Sequence, residues 1–116
     1  MTLREAAKIL DAEILTGEER LDEEVKSACG SDMMSEVLAF TKEHSLLLTG
    51  LCNPQVMRTA EMLDLMCVVF IRGKRPTEEM LEMAQEEGMT VMATQLGMYT
   101  ACGKLYTAGD LKGCMN

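Results

Sequence analysis

The stretch CVVFIRGKRPTEEMLEMAQEEGMTVMAT, Cys67 to Thr94, decides the fold. Cys67–Ile71 is apolar at consecutive positions, the pattern of a strand covered on both faces. Arg72-Gly73-Lys74-Arg75-Pro76 ends it abruptly. RPTEEMLEMAQEEG then reads as a helix closed by Gly88. TVMAT starts a second apolar strand, and one strand, helix and strand are complete.

The same order repeats on either side. SLLLTG is a short apolar strand ending in Thr49-Gly50, and CNPQVMRTAEMLD is a helix with Asn53 at its cap and Pro54 at its first position. Upstream, Val25, Ser27 and Cys29 alternate along a half-buried strand that turns at Gly30. Ser31 or Asp32 is placed to cap the next helix, with Met34, Val37, Leu38 and Thr41 as its inward stripe. TLREAAKILD opens on Thr2 and Glu5, the spacing of a capping box. AEILTGEE is a short strand broken at Thr16-Gly17, and EERLDEE reads as a solvated loop. After Thr94, QLGMYTACGKLYTAG is a last helix ended by Gly109, and DLKGCMN reads as a frayed tail. The expectation is one domain over residues 1–110 with a flexible tail at 111–116.

Short connections between strands and helices predict an α/β protein, a three-layer α/β/α sandwich with a mostly parallel sheet of about four or five strands. Right-handed crossovers then bring every strand-to-helix turn to the carboxyl edge, where open α/β sheets bind ligands. The candidate ligand residues are those of the turns: Gly30, Ser31 and Asp32; Thr49, Gly50 and Asn53; Arg72, Gly73, Lys74 and Arg75; and Thr94. Helix N-termini with unpaired N–H groups favour an anion, and three cations beside them would add to that. The plainer reading is that these basic residues are solvated or pair with surface carboxylates such as Glu78, Glu79 and Glu82.

Composition narrows the function classes. Of 116 residues 47% are hydrophobic but only 3% aromatic, so the core is aliphatic and rich in the twelve methionines. Formal net charge is −8, which argues against a nucleic-acid backbone as partner. The longest apolar run, Leu65 to Ile71, is far short of the roughly 20 residues that span a bilayer, so no membrane partner is expected. Five cysteines show no metal spacing with the single histidine, His44, and neither a metal nor a cofactor is expected. Their odd number and the lack of a leader read as a reduced, cytoplasmic chain.

Catalytic motifs are missing. Gly73-Lys74 is not a phosphate-binding Gly-x4-Gly-Lys-Ser/Thr loop. Cys29 and Cys52 precede helix starts, yet His44 belongs at the other end of its strand, so neither thiol has a base. Glu78-Glu79 and Glu86-Glu87 are adjacent on a helix and point apart. Tyr99 and Tyr106 share a helix face and read as core or dimer packing ahead of base stacking. Met80, Met83 and Met89 read as core or interface.

VVFIRGKRPTEEMLEMAQEEGMTVMATQLGMYTACGKLY, with GSDMMSEVLAF and CNPQVMRTAEMLDL before it, resembles the DRTGG domain family over Gly30 to Asp110. Arg75-Pro76, Gly88-Met89-Thr90-Val91 and Thr94 stand where the family has its Arg-Pro, its GIPV-like residues and its Thr. The Asp-Arg-Thr-Gly-Gly string itself is absent, and Arg72-Gly73-Lys74 replaces the family's Thr-Gly-Gly. The resemblance implies a fold similar to the amino-terminal domain of HPr kinase/phosphorylase. Relatives occur beside CBS domains in regulated pyrophosphatases and in phosphotransacetylases. It implies a non-catalytic regulatory module, a homodimer that binds an anionic metabolite or adenine nucleotide at the carboxyl edge. The alternative is a protein-interaction or dimerisation subunit acting on a separately encoded enzyme or CBS-containing partner without a small ligand.

Overall fold

Strand and helix alternate as the sequence predicts, and the strands assemble into a single sheet. The computed structural model describes residues 1–114. The strands are β1 (Glu13–Thr16), β2 (Ser27–Gly30), β3 (Leu46–Thr49), β4 (Cys67–Phe70), β5 (Thr90–Ala93) and β6 (Lys112–Gly113). The helices are α1 (Leu3–Leu10), α2 (Met34–Phe40), α3 (Pro54–Met62), α4 (Glu78–Glu87) and α5 (Met98–Thr107), with a 3-10 turn at Glu18–Arg20. The spatial order is β1-β5-β4-β3-β2-β6. Only the β1–β5 pair is antiparallel, and its register slips between Ile14 and Thr16.

Local signals set most boundaries. Thr2 and Glu5 form the capping box, Asn53 accepts the Val56 N–H, and Thr77 accepts the Met80 N–H. Replacing such a cap by alanine typically costs about 1 kcal/mol. Gly88 closes α4 in the left-handed conformation at φ 67°.

Every residue of β3, β4 and β5 is buried. Their side chains alternate between two cores. Leu46, Leu48, Cys67, Val69 and Met92 pack with α1 and α5. Leu47, Val68, Phe70 and Val91 pack with Val56, Met57, Ala60, Met80 and Ala84 of α3 and α4, and with Val37 of α2. Removing each large aliphatic side chain from water stabilises by about 1.5–3 kcal/mol, so the two cores together fix the register. The helix layers are unequal: two helices lie on one face and three on the other.

The structure departs from expectation in three places. A sixth strand exists because the segment read as a free tail returns to the sheet. Lys112 and Cys114 donate N–H bonds to Lys26 and Ala28, and Leu111 and Cys114 are buried. Residues 115 and 116 of that tail lie outside the described residues. Second, Leu38 is 42% exposed, so the inward stripe of α2 is narrower than predicted. Third, the 18–24 loop is not merely solvated: Leu21 is buried, and Arg20 bonds both Glu23 and the Gly88 carbonyl.

Candidate functional site

The parallel strands bring the four predicted turns side by side. Gly30 lies opposite Leu48, Thr49 opposite Phe70, and Phe70 opposite Ala93. Backbone bonds stitch the turns at that rim: Ser31 N–H to Leu48 O, Ile71 N–H to Thr49 O, and Thr94 N–H to Phe70 O.

At the centre of the rim is the Gly50 amide. It donates to Asp32 Oδ1 at 2.6 Å, and the same oxygen accepts the Thr49 hydroxyl at 3.1 Å. Thr49, fully buried, accepts the Leu51 N–H in turn. Asp32 is therefore not a helix cap. Met33 occupies that position on α2 without a side-chain bond, while Ser31 accepts the Met33 N–H. The β2–α2 turn reaches across to the next strand instead.

The basic turn divides its residues. Arg72 and Gly73 are both left-handed, at φ 55° and 72°, and reverse the chain sharply. Their N–H groups donate to Leu96 O and Thr94 O, and that of Lys74 to Ile71 O. These amides are already engaged, which leaves the side chains as the part of this turn open to contact. The Arg72 guanidinium lies directly over Gly50, and a Cβ added there would sit 2.5 Å from Nη2. Gln95 packs similarly on Gly73. Lys74 is close enough to Cys52 to draw its thiol pKa down, although burial dominates and leaves that pKa raised. Arg75 turns away and pairs bidentately with Glu13 of β1 at 2.9 and 3.2 Å. Its partner is not one of the α4 glutamates expected from the sequence.

Three other predicted residues are committed to the fold. Thr94 is buried, donates to Leu10 O at 2.7 Å and accepts the Leu96 N–H. Asn53 caps α3. Gly30 is pressed against α5, where a Cβ would meet Cys102 Sγ at 2.7 Å.

The thiols are placed for packing. Burial pushes the Cys67 thiol pKa far up, raises that of Cys102, and raises that of Cys114 to about 11. His44 Nδ1 lies 3.4 Å from Asp64 Oδ2 at the amino-terminal end of β3, away from the rim. Among the described residues no group of three or more His, Cys, Asp or Glu is arranged to hold a metal ion. No described helix is long and apolar enough to cross a membrane.

Sequence reasoning missed a groove elsewhere on the molecule. A groove of about 790 Å³ runs between α5 and the β2–β6 side of the sheet, with Tyr99 and Tyr106 on its wall. These tyrosines are 93% and 77% exposed, so they are not core residues. Their seven-residue spacing was the available signal.

The model of the DRTGG domain matches residues 5–108, nearly the whole chain. The chain belongs to the DRTGG domain family. Among solved structures, this DRTGG domain is similar to the CBS and DRTGG domains of the regulatory region of Clostridium perfringens pyrophosphatase, complexed with its activator diadenosine tetraphosphate. The TM-score is 0.76 at 22% identity, and the match covers 90% of this chain and 45% of that one. At that identity the likeness concerns the fold, and the DRTGG chain spans less than half of the regulatory region it matches. No curated protein matches it.

Proposed function

We propose that this DRTGG domain is a non-catalytic regulatory module that senses an anionic metabolite or adenine nucleotide at the carboxyl rim. Membership of the family supports the regulatory reading. The observation that carries the site is the arrangement at Gly50: a backbone N–H holds a carboxylate, and an arginine lies over it. Asp32 stands where a ligand's anionic oxygen would go. A phosphate entering there displaces Asp32 from Gly50, and Arg72 and Lys74 supply the countercharge. Release of Asp32 frees the β2–α2 turn, which turns occupancy into a change of surface. The pyrophosphatase region of similar fold was solved with an activator carrying phosphates, which agrees with a phosphate ligand.

Calorimetry with AMP, ATP and inorganic phosphate tests this. Saturable binding that Arg72→Ala weakens by about tenfold supports the rim. No heat and no thermal stabilisation at millimolar ligand overturns it.

A second reading has its own observation. Met33, just before α2, and Leu38 and Phe40 within it are exposed at 56%, 42% and 61%. Exposed apolar side chains of this kind suit a homodimer contact or a separately encoded enzyme or CBS-containing partner in the cytoplasm. Sedimentation of wild type against Phe40→Ser separates self-association from a monomer that needs another protein.

A further inference from the structure

The unequal helix layers leave part of the sheet uncovered. On the α1/α5 face, the β2–β6 side is floored by Ala28, Gly30 and Gly113, which carry almost no side chain. Beside that floor α5 stands as a wall. Its groove, about 790 Å³, falls within the roughly 300–1,000 Å³ of small-molecule sites. A smaller hollow of about 440 Å³ adjoins it past Tyr106 and Gly109.

Three features of the lining point to one ligand chemistry. The floor and inner wall are apolar, with Leu48 and Leu105 among them. The chain has only two tyrosines, and both stand on this wall, mostly exposed, with flat faces available for stacking. The charges are of one sign: Lys104 and Lys112 line the groove and no Asp or Glu does, in a chain where 19 acidic residues outnumber 11 basic ones. Neither lysine has an ion-pair partner among the described residues. In a protein of net charge −8, this is an anion-attracting surface over an apolar floor.

We propose that this groove is a binding site for a planar aromatic anion of nucleoside-phosphate size, with the ring against Tyr99 and Tyr106 and the anionic group between Lys104 and Lys112. It is separate from the rim and does not depend on Asp32, Arg72 or Lys74. Apolar burial and stacking hold the ring, while the lysines select the charged form and make affinity fall with salt.

Amide-resolved NMR titration of the whole chain with AMP, adenosine and inorganic phosphate tests it. The expected result is saturable shifts from AMP at Tyr99, Gly103, Tyr106 and Gly113, weaker shifts from adenosine and none there from phosphate. Lys104→Ala/Lys112→Ala and Tyr106→Ala change exposed side chains and are expected to fold as the wild type does, which their unligated spectra check. Each is expected to weaken AMP by about tenfold. Shifts confined to Gly50, Arg72 and Gly73 overturn the groove while sparing the rim. Shifts at the groove that follow protein concentration without ligand also overturn it, by showing a second copy there. An absence of any saturable AMP shift overturns the groove; the rim falls with it only when inorganic phosphate and ATP also give no saturable response.

Discussion

Asp32 Oδ1 lies 2.6 Å from the backbone nitrogen of Gly50, eighteen residues away and on the neighbouring turn. The carboxylate fills a position that two helix-bearing turns create between them. Asp32→Ala is expected to remove a charge-assisted bond and lower stability by about 1–2 kcal/mol in urea melts. It also empties the Gly50 amide, so phosphate affinity at the rim should rise. A variant that loses stability and gains no anion affinity would leave Asp32 as a fastener only.

Glycines at two close approaches should differ sharply. At Gly17, φ is 78° and a Cβ would fall 2.5 Å from Thr90 Cα and 2.7 Å from the Met89 carbonyl, both backbone atoms. Gly17→Ala is expected to cost about 3 kcal/mol or more, through strain and overpacking together. At Gly50 the obstacle is the end of the Arg72 side chain, which can swing away. Gly50→Ala should melt close to wild type while losing anion binding. Equal melting temperatures for the two variants would contradict these geometries.

The Glu13–Arg75 pair predicts a titration. The Arg75 guanidinium holds the Glu13 carboxyl pKa below its ordinary value. A carboxylate depressed in the folded state contributes stability above its unfolded pKa, about 4.3, and loses it as pH falls through the lower folded value. Both side chains are more than half exposed, at 57% and 60%, so water and salt screen the pair. The measurable sign is the NMR midpoint of Glu13, which should rise when Arg75 becomes Ala. An unmoved midpoint would mean that the pair does not persist in solution.

Thiol chemistry should be slow and ordered. Cys52 and Cys102 are partly exposed, whereas Cys29, Cys67 and Cys114 are buried. Raised pKa values leave little thiolate at Cys52, Cys102 and Cys114 near neutrality. Iodoacetamide at pH 7.5, followed by mass spectrometry, should label Cys52 and Cys102 first and slowly. Cys67 and Cys114 should label only on unfolding. Rapid labelling of Cys114 in the native protein would show that β6 detaches.

Ending the chain at Asp110 tests the same strand by stability. The truncation removes buried Leu111 and Cys114 and the bonds to Lys26 and Ala28. A loss of about 3 kcal/mol or more is expected from the apolar burial alone. A truncated chain as stable as the full one would restore the reading of this segment as a loose tail.

What could be read from sequence was whatever neighbouring residues decide. Thr2 with Glu5, Asn53 with Pro54, and Gly88 announce helix ends because the physics lies within four residues. The doubly buried strands at Leu46, Cys67 and Thr90 were legible as apolar runs, and the gathering of the turns on one edge followed from crossover handedness. The contents of the rim were not legible. Asp32 reaching Gly50, and Arg75 choosing Glu13 at a separation of 62 residues, are outcomes of packing that no local pattern encodes. Likewise β6 is two residues long, too short for any periodicity to show. The groove arises from small residues on two strands meeting the wall of a distant helix.

The slip between Ile14 and Thr16 lies on β1, which is an outer strand of the sheet. An outer strand offers unpaired amides to any passing chain, and a regular one invites endless edge-to-edge growth. An interrupted ladder kinks the strand and spoils the template. The irregularity thus makes this border a poor template for edge-to-edge growth into fibrils.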